Sequence, residues 1–249
     1  MLTHGFITKQ VKTEDLAKSP GVSSRVKYML PTFTGPMSTC AQGQSAAHRC
    51  GQVFLNSQEA ADQLSSFIPK EKVVTAEKLT AVGMKKEDVA KAKSAAVWAQ
   101  RAEPEGRYIG SEFGEVGCVR LSLQGKRRVA VASVRKLVQF FSVEGKKLSC
   151  DGLMHTLEVA TEEQVTKLLD DHVLRWGSVQ PDSLIYIPQG HIVIDSTLGD
   201  KPSLGVKCSV LVSGVGEADM EALHDLYLAS NKQGCADCSK VALKAIVTE

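Results

Sequence analysis

The 249-residue chain has no long apolar run: no hydrophobic stretch approaches the roughly 18 residues that a membrane helix requires. Its opening segment, MLTHGFITKQVKTEDLAKSP, also lacks the apolar core of a secretory leader. The expectation is a soluble, unprocessed protein with no membrane partner. There is no charge excess either. Thirty basic against 28 acidic side chains leave a formal +2, too little to argue by itself for a phosphate-binding surface or an acidic partner, so nucleic acid is unsupported. A disulfide framework is missing too, because seven cysteines (Cys40, Cys50, Cys118, Cys150, Cys208, Cys235 and Cys238) are an odd number at irregular spacing in a chain too long to need stapling. A reduced, intracellular setting fits, with cytoplasm and nucleus not distinguished.

What is present is enough apolar residue, 43% of the chain, to bury a core in one barrel-sized domain with appendages. Residues 1–50 mix Ser, Thr, Gly and Pro without helical or strand periodicity and read as an irregular arm. Residues 51–105 read as a small helical region. There Asn56 and Glu59 resemble a capping box, and KKEDVAKAKSAAVWAQRA is Ala-rich with a Val89, Ala92, Ala96 stripe.

From 106 to 215 the texture changes to short β-type runs broken by Gly, Pro and Asp, as in sandwiches and barrels. In CVRLSLQ, Val119, Leu121 and Leu123 share one face and Cys118, Arg120 and Ser122 the other, before Gly125 turns the chain into RRVAVA, a hairpin in outline. The runs at 184–188, 191–195 and 204–212 supply three more strands. Between these groups TEEQVTKLLDD predicts one helix, with Thr161 and Gln164 as its capping box. Residues 216–249 form a helical tail, where Met220, Leu223, Leu226 and Tyr227 make a stripe that serves either to cover a sheet or to support a dimer.

Two of these segments resemble a known family. PDSLIYIPQGHIVIDSTLGDKPSLGVKCSVLV is similar to the closing segment of JmjC-type 2-oxoglutarate oxygenases, where an apolar strand ending in Ile-Pro precedes a metal-ligand strand and a final strand. EFGEVGCVRLSLQGKRRVAVAS resembles that family's first metal strand, where a His-x-Asp pair stands about a dozen residues ahead of a glycine followed by basic residues. The segments occur in the family's order and span Arg107 to about Val215. The resemblance implies a mainly β fold with helical additions, a double-stranded β-helix of the cupin or jelly-roll type.

It also implies a site, and there the chain departs from the family. Such iron centres use two imidazoles and a carboxylate on one face of the metal. Aligned on Gly125, His-x-Asp falls on Glu112-Phe113-Gly114, and aligned on Ile187-Pro188 the second histidine falls on Val193, so the usual ligand set is missing. His191, two residues from Val193, faces the same way if its strand is regular, and is otherwise a turn residue beside Gly190. Glu112 points into a cavity or is a solvated charge on a Gly-flanked loop. Arg127 stands where some relatives grip the far carboxylate of 2-oxoglutarate, a task suited to a planar guanidinium; the plainer alternative is a basic turn in water at Lys126-Arg127-Arg128.

The resulting expectation is a non-catalytic binding or scaffold module. Arg127, Glu112 and His191 are its candidate ligand-binding residues, a small carboxylate or a protein its partner, and no cofactor or metal is expected. Two rivals stand beside it. One is a working Fe(II)/2-oxoglutarate dioxygenase, a protein hydroxylase or demethylase, with His191 and Glu112 joined by His155 or His172. The other is an unrelated β-sandwich interaction protein. Cys235 and Cys238 make a single Cys-x-x-Cys, with Cys40, His48 and Cys50 as distant further ligands, which is thin support for zinc.

Overall fold

β-Branched and aliphatic residues in short runs, separated by turn residues, form eleven strands in the computed structural model, which describes residues 2–3, 6–10, 50–55, 58–100, 110–114, 116–142, 148–199 and 201–247. The strands are β1 (Leu2–Thr3), β2 (Phe6–Gln10), β3 (Cys50–Leu55), β4 (Ala95–Gln100), β5 (Gly110–Gly114) and β6 (Gly117–Gln124). They continue as β7 (Lys126–Ser133), β8 (Leu174–Val179), β9 (Ser183–Ile187), β10 (His191–Leu198) and β11 (Ser203–Val210). They pair antiparallel in two sheets, a seven-stranded one ordered β1-β2-β9-β6-β11-β4-β3 and a four-stranded one ordered β5-β10-β7-β8. Among the described residues eight α-helices complete a mixed α/β architecture: α1 (Gln58–Ser65), α2 (Ala76–Ala81), α3 (Lys86–Ala92), α4 (Val134–Phe141), α5 (Cys150–Glu158), α6 (Glu162–Asp170), α7 (Glu217–Ala229) and α8 (Gln233–Val247).

The turn at Gly125 does something other than close a hairpin. β6 pairs with β9 and β11, whereas β7 pairs with β10 and β8, so the two runs expected to pair lie in different sheets. Gly125 carries the chain between sheets at φ +77°, and a Cβ there would lie 2.8 Å from the carbonyl oxygen of Pro202. Period-2 alternation identifies strands and faces, but the choice of neighbour belongs to partners far away in sequence. β9 and β11, expected to share a barrel, flank β6 in one sheet.

The 51–105 helical expectation also needs correction. α1, α2 and α3 lie within it, but Ala95–Gln100 is strand β4, paired with β3 and β11, and its Ala95, Val97 and Ala99 are buried. Alanine is the strongest helix former, but propensity amounts to less than about 1 kcal/mol per residue and the slot between two strands overrides it. In the 1–50 arm, β2 pairs with β9, while residues 11–49 lie outside the described residues, as does Asn56.

Where one helix was expected between the strand groups, three occur. α6 carries the predicted capping box, with Thr161 Oγ1 accepting from Gln164 N and Gln164 Oε1 accepting from Thr161 N. α4 and α5 were not anticipated; in VRKLVQFF the buried Val134, Leu137 and Phe141 share a helical face, and Ser133 caps it by accepting from Lys136 N.

The core divides by sheet face. Val97, Val119, Leu121, Leu204, Val206 and Val210 point away from the four-stranded sheet and pack on Ala61, Leu64 and Ile68 of the α1 region. Ala132 and Ile192 of the four-stranded sheet point the other way, into a larger cluster with Leu137, Leu153, Met220 and Leu223 of the helices. The stripe of α7 is buried in that cover, with Phe113 and Tyr227 edge to face at 6.4 Å. A third cluster, Val129, Val131, Val179, Ile185, Ile187 and Val193, fills the space between the sheets.

Candidate functional site

Alternation that sends Val119 and Leu121 outward sends Arg120 inward, and alternation that puts Val193 between the sheets puts Asp195 there too. The two meet across the interior: Arg120 Nη1 donates to Asp195 Oδ2 at 3.0 Å, and Arg127 Nη2 donates to the same oxygen. Arg127 is therefore not a solvated turn residue. It is 3% exposed, lies on the face of Val129 and Val131, and stacks over the Trp98 ring with 4.0 Å from guanidinium carbon to ring centroid. Burial pulls its pKa down, Asp195 supports the charge and Arg120 opposes it. The carboxylate that Arg127 grips belongs to the chain itself.

Next to this cluster a cavity of about 300 Å³ opens between the sheets, lined by Arg120, Lys207, Cys118, Ser209, Gly114 and Val193 among others. Lys207 is directly opposite Arg120 in the β11–β6 register, so both share the inner face. Arg120 Nε also donates to Cys118 Sγ at 3.3 Å.

The positions where the resembling family would carry iron ligands come together at this mouth. β10 and β5 pair so that Val193 faces position 112 and His191 faces Gly114. Gly114 and Val193 offer no donor atoms, and Glu112 is described only through its backbone. The donor set does not fit an iron centre at these positions, and among the described residues no three His, Cys, Asp or Glu side chains converge as metal ligands.

His191 sits in an unbroken register with β7 from His191↔Ser133 to Leu198↔Lys126, so it shares the inner face of Val193. Its Nδ1 lies 3.1 Å from the Gln189 carbonyl oxygen, which can only accept, so the neutral ring carries its proton at Nδ1 and its lone pair at Nε2. Burial pushes the imidazole below its ordinary pKa; the Gln189 bond and Asp219 oppose this, while Arg175 and Lys136 add to it. His191 and His172 line a second cavity, of about 180 Å³, whose lining is separate from that of the first. His155 is exposed on α5, and Cys235 and Cys238 lie one turn apart on α8.

Sequence reasoning missed Arg120, Asp195, Trp98 and Lys207. The signal for the first two was present, since strand alternation puts one charge of each sign on a face opposite buried aliphatics. Their meeting across two sheets was not readable from either strand.

No family model matches the chain, and no curated protein does. Among solved structures it is similar to a ribosomal oxygenase from Escherichia coli, at 12% identity over 73% of this chain and 36% of that one, with a TM-score of 0.34. It is also similar to oxalate decarboxylase from Bacillus subtilis, at 13% identity over 50% of this chain and 22% of that one, with a TM-score of 0.28. The chain thus spans between about a fifth and about a third of the length of these structures.

Proposed function

We propose that the chain is a double-stranded β-helix related to the JmjC and cupin barrels, with a degenerate metal centre, acting as a non-catalytic module that binds a small organic anion between its sheets. The strand order supports the fold. From β4 onward the chain passes from one sheet to the other at every step except β7 to β8, giving β9-β6-β11-β4 opposite β5-β10-β7-β8, the winding of a helix built from paired strands. A sandwich of consecutive hairpins would keep β6 and β7 in one sheet.

The observation that carries the function is the cavity at the sheet mouth, where Gly114 and Val193 replace donor atoms and Arg120 and Lys207 present cations. Its volume of about 300 Å³ is at the small end for ligand pockets, suited to a short mono- or dicarboxylate. Arg127 supports the site indirectly by holding Asp195, which in turn holds Arg120; this replaces direct capture of ligand by Arg127.

Calorimetric titration with 2-oxoglutarate and shorter diacids tests the binding, with Lys207→Met as the informative variant, since Lys207 is only half-buried and is not a member of the Arg120–Asp195 and Arg127–Asp195 ion pairs. Binding weakened about tenfold or more in the variant is the expected result, the size of one lost charge-assisted contact. No binding by the unmodified protein would sink the ligand reading. About one iron per chain on elemental analysis, with turnover of 2-oxoglutarate, would replace it by an oxygenase.

A further inference from the structure

The second cavity, apart from the one between the sheets, holds an unusual charge balance. Arg135 and Lys136 come from the first turn of α4, Arg175 from β8, and Asp219 from α7. Asp219 is already bound by the Ser133 hydroxyl, while Arg135, Lys136 and Arg175 have no ion-pair partner among the described residues. Three cations, of which Arg135 and Arg175 are exposed, therefore line a concavity of about 180 Å³ with one carboxylate among them. Gathering like charges in a recess is unfavourable unless an anion offsets them, and a recess focuses their field more than a convex surface does.

The uncharged groups of the lining narrow the class of anion. His191, neutral and protonated at Nδ1, offers an acceptor at Nε2, which suits a ligand that carries an acidic proton as well as negative oxygens. Two guanidinium groups and the ammonium of Lys136 supply donors enough for three oxygens of a tetrahedral anion.

We infer that this cavity is a phosphate site, taking either free inorganic phosphate or the phosphoryl group of a small monoester. Its residues share nothing with the lining of the carboxylate cavity, so the two proposals stand or fall separately. Arg175 is exposed, which makes Arg175→Gln a variant that keeps the fold.

The test follows the His191 ring signals by NMR during titration of the whole chain with inorganic phosphate and, separately, with glycerol 3-phosphate. Arg128→Gln serves as the control because Arg128 is an exposed cation on β7 outside the cavity lining. The expected result is a saturable His191 shift, weakened about tenfold by Arg175→Gln and nearly unchanged by Arg128→Gln. Tighter binding of the monoester would assign the site to a phosphorylated metabolite, and equal or weaker binding would assign it to the free ion. Absence of a saturable shift with either probe, or equal losses in the two variants, would overturn the proposal.

Discussion

The outer faces of the two sheets and the space between them are built from different chemistry. Outward, Leu121, Val206 and Val119 meet α1, and Ala132 and Ile192 meet the helical layer, so these faces bury mainly apolar groups and no charged ones among the described residues. Inward, a short aliphatic cluster shares its space with Arg120, Arg127, Asp195 and Trp98. Burial of hydrocarbon is non-directional and tolerates repacking, whereas a buried charge cluster is stable only if each member keeps its partner. Stability therefore rests mainly on the outer faces, while the interior keeps its buried charges at a cost.

The sharpest break of that contrast is Asp195→Ala. It leaves two buried guanidinium groups without their shared carboxylate, and a loss of about 3–5 kcal/mol is expected by chemical denaturation. Replacing Arg120, Arg127 and Asp195 together by Met, Met and Leu should destabilise far less than Asp195→Ala alone. If the triple replacement were the worse of the two, the cluster would be a net stabiliser and the contrast would fail.

Leu121→Ala, one residue from Arg120 but on the outer face, should lower stability by about 2–5 kcal/mol through lost burial and a residual cavity. That loss should not vary with salt, and a strong salt dependence would count against a purely apolar outer face. Thr161→Ala, in the exposed capping box of α6, should cost about 1 kcal/mol without touching either cavity.

The smallest effect is the pH dependence at His191. Its folded pKa lies below the unfolded value, so the unfolded chain binds more protons at mildly acid pH and stability rises with pH through that range. The contribution is present in full above the unfolded pKa of about 6.5 and is lost as pH falls below it. Melting curves between about pH 5 and pH 8 should show this slope, and His191→Gln should flatten it; an unchanged slope in the variant would assign the titration elsewhere.

Much of the β texture was readable because faces and turns are local. Ser183–Ile187, His191–Leu198 and the Thr161 capping box follow from residue spacing over fewer than ten positions. Ala95–Gln100 misled because alanine carries little strand preference of its own, and Val134–Phe141, whose Val134, Leu137, Val138 and Phe141 recur at helical spacing, is short enough to pass among the neighbouring strands.

Alternation within each strand sets which side chains share a face: that of β6 places Arg120 opposite Leu121, and that of β10 places His191, Val193 and Asp195 together. What those faces meet depends on how the two sheets pack. Gly125 sends β6 and β7 into different sheets, and that crossing brings Arg120 and Arg127 onto one carboxylate from opposite walls. The physical reason is range, since alternation is fixed by the backbone of each strand, while an ion pair 75 residues apart in sequence exists only once both sheets have formed.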